Sequence, residues 1–183
     1  MYVVRPFITY RAIEINAGAT AIGLIGAIYA LFPVLLALKF GSWVGKYGEG
    51  KFIVFGNISL ILSCTSLIFA NNIFVLAAAT AFAGLSHLAL MVGGQTMVAL
   101  RSAKSDYNRL FGYYTFSASL GHTFGPVVAG LLAGSLSNGM PKHSNYAFFF
   151  AIALSTVALL PTWNWRRSAP TVKAAEAQSN TWA

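Results

Sequence analysis

The chain is expected to fold as an all-α integral membrane protein, a helical bundle of five full transmembrane helices plus an amino-terminal partial helix. Two observations lead there. Of its 183 residues, 57% are hydrophobic and 9% charged, against roughly 25% charged in soluble globular domains. The twelve basic and four acidic residues are also unevenly spread, leaving uncharged stretches at 15–38, 52–100, 110–141 and 143–165. A bilayer core about 30 Å thick is crossed by roughly 20 apolar helical residues, so each stretch is long enough to span at least once. A membrane β-barrel is excluded, because it would show short segments of alternating polarity where these are continuously apolar.

The elements follow in order. Residues 1–17 carry Arg5, Arg11 and Glu14, too many charges in too short a segment for a full crossing. They read as a partial helix 1 and outer loop, the end of a helix that begins earlier. A cleaved secretory signal is a poor match, since the apolar run that follows is long and has no clear small-residue cleavage site. The first full span is 20–40. The 52–100 stretch would extend over twice the bilayer core as one helix. It must fold back at Ala70, Asn71 and Asn72, where two adjacent amides compete for backbone hydrogen bonds and favour a turn. That gives spans at 52–70 and 73–100. A run of turn-forming residues at 134–141 ends the next span, 111–133, and 146–164 supplies the last. The organisation is therefore residues 1–17, a transmembrane bundle over 18–167, and a tail over 168–183 rich in Ala, Pro, Ser and Gln that reads as disordered or as the start of a linker.

Taken alternately, the connectors are biased in charge. Lys39, Lys46, Glu49 and Lys51 fall on one side with Arg101, Lys104, Asp106 and Arg109, then Arg166, Arg167 and Lys173; the opposite side has Asn71, Asn72, Lys142 and His143 besides the amino-terminal segment. Positive loops stay inside, which puts the first set and the carboxyl terminus in the cytoplasm and the protein in a cell membrane, plasma or inner. Trp163 and Trp165 fit an interfacial aromatic anchor. The same topology accounts for the net charge of +8. The basic residues form no long stripe interleaved with aromatics, so nucleic acid is not an expected partner; the lipid bilayer is. Cys64 is the sole cysteine, lies in an apolar run and cannot make an intrachain disulfide.

Two segments carry more than topology. Residues 41–51, GSWVGKYGEGK, join the first two full spans with four glycines that permit a sharp reversal and two lysines that resist crossing. In residues 107–133, Ser117, Gly121, Gly125, Ala129 and Ala133 recur every fourth position, a stripe of small side chains along which another helix can approach closely. Pro126 has no N–H for the carbonyl of His122, which predicts a bend.

The first of these segments resembles the loop between helices 2 and 3 of the major facilitator superfamily, commonly GxxxDRxGRR or with a final Lys. Gly41, Lys46, Gly48 and Lys51 fall on or near that pattern. Gly45 stands where the family usually has Asp, and Glu49 where it often has Arg. In the family that Asp is thought to help latch the inward gate through charge and helix-dipole contacts, a contribution Gly45 cannot make. Residues 121–130, GHTFGPVVAG, resemble the GxxxGPxxGG signature on helix 5 of superfamily antiporters through Gly121, Gly125, Pro126 and Gly130, with Ala129 replacing the first glycine of the final pair. The two motifs fall in the family's order. The resemblance covers roughly residues 2–167 and matches the amino-terminal six-helix half, with helix 1 reduced to its outer end.

Polar groups within the spans are the site candidates. His87 and His122 lie about halfway along sequential, antiparallel crossings. Histidine titrates near neutral pH, and an ionisable group at membrane depth suits a proton relay or a substrate contact; hydrogen bonding to a neighbouring helix would explain either ring equally well. Gln95, beside Gly93 and Gly94, could contact substrate or cross-link helices. Arg5, Arg11 and Glu14 could line the outer mouth of a central cavity, favouring an anionic or amphiphilic substrate, or be solvated or bound to headgroups. Tyr29 and Asn57 are weaker candidates. Arg101, Lys104, Asp106 and Arg109 read as an ordinary connector. The histidines are separated, with no nearby cysteine or carboxylate, so no metal site is expected, nor any cofactor. No paired carboxylates and no set of nucleophile, base and orienting group point to an enzyme.

The resemblance implies transport of a small solute by a secondary carrier, with proton-coupled antiport as one form, in which two bundles rock about a midplane site. A complete carrier of that kind has two six-helix bundles, so a second six-helix half or a homodimer is the implied partner. The alternative is a membrane scaffold that transports nothing, or an inactive fragment. The identity of the solute is not legible.

Overall fold

The computed structural model describes residues 3–103, 105–132 and 145–165. They form six helices: α1 (Val4–Glu14), α2 (Ala19–Tyr47), α3 (Glu49–Ile68), α4 (Ile73–Arg101), α5 (Tyr107–Leu132) and α6 (Asn145–Trp165). Three of them, α2, α3 and α4, are each long and apolar enough to cross a membrane. In α5, tyrosines, serines and glycines dilute an otherwise apolar helix, and in α6 the apolar stretch is Ala147–Leu160. The 134–141 turn cluster, Lys142, His143 and the tail lie outside the described residues, as do the side chains of Trp163 and Trp165.

The short α1 buries Val4, Phe7, Ile8 and Ala12, the one-sided spacing of an amphipathic helix. It stops where Asn16 turns into the left-handed region at φ 57°, a conformation asparagine tolerates better than most residues. Arg11 then fastens its end: one guanidinium nitrogen pairs with Glu14 at 2.7 Å and the other donates to the carbonyl of Ile68 at 3.0 Å, tying α1 to the end of α3.

The reversal between α3 and α4 falls at the predicted amides. Asn72 caps α4, its side-chain oxygen accepting from the backbone N–H of Val75 at 2.9 Å, which satisfies one of the donors a helix start leaves open. The α2–α3 connector differs from expectation. Residues 41–47 continue α2 as helix, and the reversal is made at Gly48 alone, with φ 88°, a conformation that costs glycine little and other residues much. The helix therefore extends well past the predicted end of the first span.

The core is built where α3 and α4 pack as an antiparallel pair, with α2 against α4, α6 against α3, and the short α1 touching all four. Leu60, Cys64, Leu67, Leu76, Ala79, Ala83, Phe148 and Ala151 are buried there, and Phe7 meets Phe148 edge to face at 6.4 Å. Ser63 donates across the pair to the carbonyl of Ala79 at 2.8 Å. Close approach depends on glycines: a Cβ at Gly56 would stand 2.8 Å from Leu90, one at Gly93 would stand 3.0 Å from Ile53, and one at Gly84 would collide with the carbonyl oxygen of Tyr29. Lipid competes with any apolar contact, so helices in a membrane gain most where small residues bring backbones together.

The stripe expected to do this on α5 does not do it within the chain. Ser117 and Gly121 are exposed, Gly125 is half-exposed and Gly130 has no neighbour that an added Cβ would meet; the side chain of Ala129 and all of Ala133 lie outside the described residues. Among the described side chains none on α5 is buried. That helix leans on α4 mainly where Tyr114 covers Gly94. The close packing sits on α3 and α4 instead. Large apolar side chains on the outer faces are uncovered, Val34 at 72% and Leu62 at 62% exposure among them, as suits surfaces solvated by lipid rather than water.

Candidate functional site

Three helices converge at mid-depth. Arg5 lies about 14 Å along α1 from its Glu14 end, and Tyr29 about 15 Å along α2 from Ala19, at a rise of 1.5 Å per residue. Antiparallel neighbours joined by the short turn at 15–18 therefore hold these two side chains level. The Arg5 guanidinium carbon stands 4.7 Å from the centroid of the Tyr29 ring, and that ring lies 6.2 Å from the His87 ring, tilted by 39°. Arg5 and His122 both lie within Coulombic reach of His87. The sequence candidates Arg5 and His87 are thus brought together around Tyr29.

What holds Tyr29 in place is local. Pro33 sits one turn further along α2 and has no N–H to give to the Tyr29 carbonyl. Gly84 of α4 packs directly onto that carbonyl, and a Cβ there would also come within 3.3 Å of the Pro33 ring. A proline that withholds a donor and a glycine that admits the oxygen together seat α2 against α4, three residues before His87.

Two cavities flank the cluster. One, of about 270 Å³, lies between α1, α2 and α4 and is lined by Arg5, Thr9, Ile22, Ile25, Tyr29 and Thr80 among others. The other, of about 420 Å³, has His87 on its wall with Asn57, Met91, Tyr114, Ser117 and Ser155. Thr80 and Asn57 spend one donor each on their own helices, Thr80 to the carbonyl of Leu76 at 2.7 Å and Asn57 to that of Ile53 at 3.0 Å. His87 belongs to the wall between the two spaces: it touches the ring of Tyr29 on one side and borders the larger cavity on the other.

Electrostatically the cluster is positive. The three described acids are each paired with another cation: Glu14 with Arg11 at 2.7 Å, Glu49 with Arg101 at 2.9 Å and Asp106 with Arg109 at 3.2 Å. Among the described residues no carboxylate stands within salt-bridge distance of Arg5. A cation over an aromatic face gains about 0.5–2 kcal/mol, less than a full ion pair would give an arginine held at membrane depth. The Tyr29 ring offsets only part of the charge.

Other predicted residues fall elsewhere. Arg11 serves the α1–α3 junction rather than a cavity wall. Gln95 is half-buried two turns beyond His87 on α4 and lines neither of these cavities. In the α2–α3 hinge Gly41 and Lys51 are exposed, and Lys46 lies 5.5 Å from the centroid of the Tyr47 ring. Sequence reasoning missed the Glu49–Arg101 pair altogether. Both the Nε and one Nη of Arg101 donate to the same Glu49 oxygen, at 3.0 and 2.9 Å. A negative residue in the first turn of α3 facing a positive one in the last turn of α4 was the available signal, since each also favours its own helix dipole. Among the described residues no group of His, Cys, Asp and Glu could hold a metal.

An apolar helical bundle with three helices each long and apolar enough to cross a membrane defines a multi-pass membrane protein. The chain belongs to the Major Facilitator Superfamily, whose sequence profile matches residues 1–182. It is 26% identical to Multidrug resistance protein 1 of Bacillus subtilis (strain 168) over 149 residues, covering 80% of this chain and 36% of that protein. To the class H tetracycline resistance protein of Pasteurella multocida it is 27% identical over 157 residues, 86% of this chain and 37% of the relative. To the class B tetracycline resistance protein of Escherichia coli it is 27% identical over 149 residues, 81% and 35% of the two chains. The chain thus spans little more than a third of the length of these relatives.

Proposed function

We propose that the chain forms one bundle of a secondary carrier for a small solute, with proton-coupled antiport at a midplane site around His87, His122, Tyr29 and Arg5. The convergence of Arg5, Tyr29 and His87 from three helices carries this reading. A scaffold needs packing only, and has no use for a charged group and a titratable ring brought level between cavities. A second bundle, either a separate six-helix half or a second copy of this chain, would complete the site, and the uncovered small residues Ser117 and Gly121 on α5 offer a surface along which its helix could pack closely. The charge bias of the connectors favours a cell membrane, plasma or inner, with Lys46, Arg101 and the carboxyl terminus on the cytoplasmic side. Gly48 is the hinge on that side, and Glu49 with Arg101 fastens α3 to α4 where the family's latch carboxylate is missing.

The test is reconstitution into liposomes, alone and with a candidate second half, under an imposed pH gradient. Tetracycline is a first solute, from the relatives' names. Solute-dependent proton movement is expected, and its absence in both arrangements favours the scaffold. In the active arrangement, His87→Gln should flatten the dependence of uptake on pH, because it removes the titratable ring from the cluster. His122→Gln should change it less, because His122 is exposed. An unchanged pH profile in both variants removes the histidines from the mechanism.

A further inference from the structure

We infer that the cavity between α1, α2 and α4 is an anion subsite, and that it takes the carboxylate of a small aromatic acid. This rests on the reading of the mid-depth cluster as the solute site and adds the chemical class of solute. Arg5 lines a space of about 270 Å³, and its guanidinium stands 4.7 Å from the Tyr29 ring centroid. Each described carboxylate is committed to a different cation. Arg5 is exposed to the space it lines, and among the described residues no protein acid neutralises it, so a bound anion is the partner that completes it. A guanidinium fork matches a carboxylate in two parallel hydrogen bonds.

The rest of the lining selects the body of the ligand. Ile22 and Ile25 offer apolar walls, the Tyr29 ring a flat one, and Thr9 a hydroxyl for the polar edge. A volume near the lower end for ligand pockets, roughly 300 Å³, suits one or two fused rings. A lipid headgroup presents the same anionic chemistry. However, Arg5 lies about 14 Å along α1 from its end, deeper than headgroups reach, which favours a solute that enters the cavity.

The experiment uses the purified chain in nanodiscs of neutral phosphatidylcholine and three matched probes: 2-naphthoate, 2-naphthamide and 2-naphthylmethylammonium. Binding is read by equilibrium dialysis and by the shift in thermal unfolding that a ligand of the folded state produces. The naphthoate should bind about tenfold or more tightly than the amide, equivalent to about 1.4 kcal/mol, with the ammonium probe weakest. Arg5→Gln should erase the preference and Arg5→Lys should keep it at lower affinity, and the Lys variant guards against a loss that is only misfolding. Equal binding of the three probes, or a preference that survives in Arg5→Gln, overturns the inference. Repeating the measurement in phosphatidylglycerol nanodiscs separates the sources: an unchanged naphthoate affinity supports a solute site, and its abolition by the anionic lipid assigns the subsite to headgroups and overturns the solute. No transport is required for any of these readouts, so a carrier that fails in liposomes yet prefers the naphthoate would lose the transport reading alone.

Discussion

Replacing Gly84 by alanine is expected to destabilise the bundle by about 3 kcal/mol, the upper end for overpacking a tight interface. The added methyl would meet the main-chain oxygen of Tyr29, not the end of a flexible side chain. A helix carbonyl yields only if the whole helix moves, so α2 and α4 must part, and with them the level placement of Tyr29 and His87. Gly23→Ala on α2 is the control. Nothing lies within 4 Å of that position, and alanine favours a helix over glycine by about 1 kcal/mol, so the substitution should be neutral or mildly stabilising. Equilibrium unfolding in mixed micelles measures both. Equal effects at the two positions would show that α2 and α4 do not meet at Gly84.

The second large effect lies at the other end of the bundle. Glu49 is 7% exposed and takes two hydrogen bonds from Arg101. Arg101 is partly exposed and Glu49 is not, so Arg101→Met, which strands the buried carboxylate, should cost about 3 kcal/mol, and Glu49→Gln, which leaves a solvated cation, about 1 kcal/mol. Removing both, as Glu49→Leu with Arg101→Met, should cost much less than the sum, because the orphaned charge disappears with its partner. A double-mutant cycle on the unfolding free energy gives the coupling directly. Additive losses would mean that the two groups are solvated independently.

How far the sequence carries can be judged from these residues. Uncharged runs set the number of helices, and the amides at 71 and 72 marked a turn that Asn72 does make, because both signals are local and concern the solvent or the backbone of a single helix. The reversal falls inside the expected connector 41–51, but α2 runs about two turns past residue 40, since Gly41 and Gly45 permit a turn without requiring one, and among the described glycines only Gly48 adopts the positive φ. Arg5, His87 and His122 were legible as ionisable groups inside apolar sequence. The convergence of Arg5 and His87 on Tyr29 was not, because it depends on which faces of α1, α2 and α4 meet. The same limit explains the glycines. A regular four-residue stripe on α5 stands out in sequence, yet its members Ser117 and Gly121 are exposed, whereas Gly56, Gly84 and Gly93 carry the packing without a pattern that distinguishes them. Glu49 and Arg101 lie half a hundred residues apart and pair only because α3 and α4 run antiparallel.

The central claim is that lipid covers the outer apolar faces while the Arg5 cavity remains open to water. Single cysteines placed on a Cys64→Ala background test it in intact membranes with a charged, membrane-impermeant methanethiosulfonate reagent. Thr9→Cys, on the cavity wall, should react. Val34→Cys and Leu62→Cys should stay unlabelled, although these positions are 72% and 62% exposed on the protein surface. Rapid labelling at 34 and 62 together with protection at 9 would contradict the account.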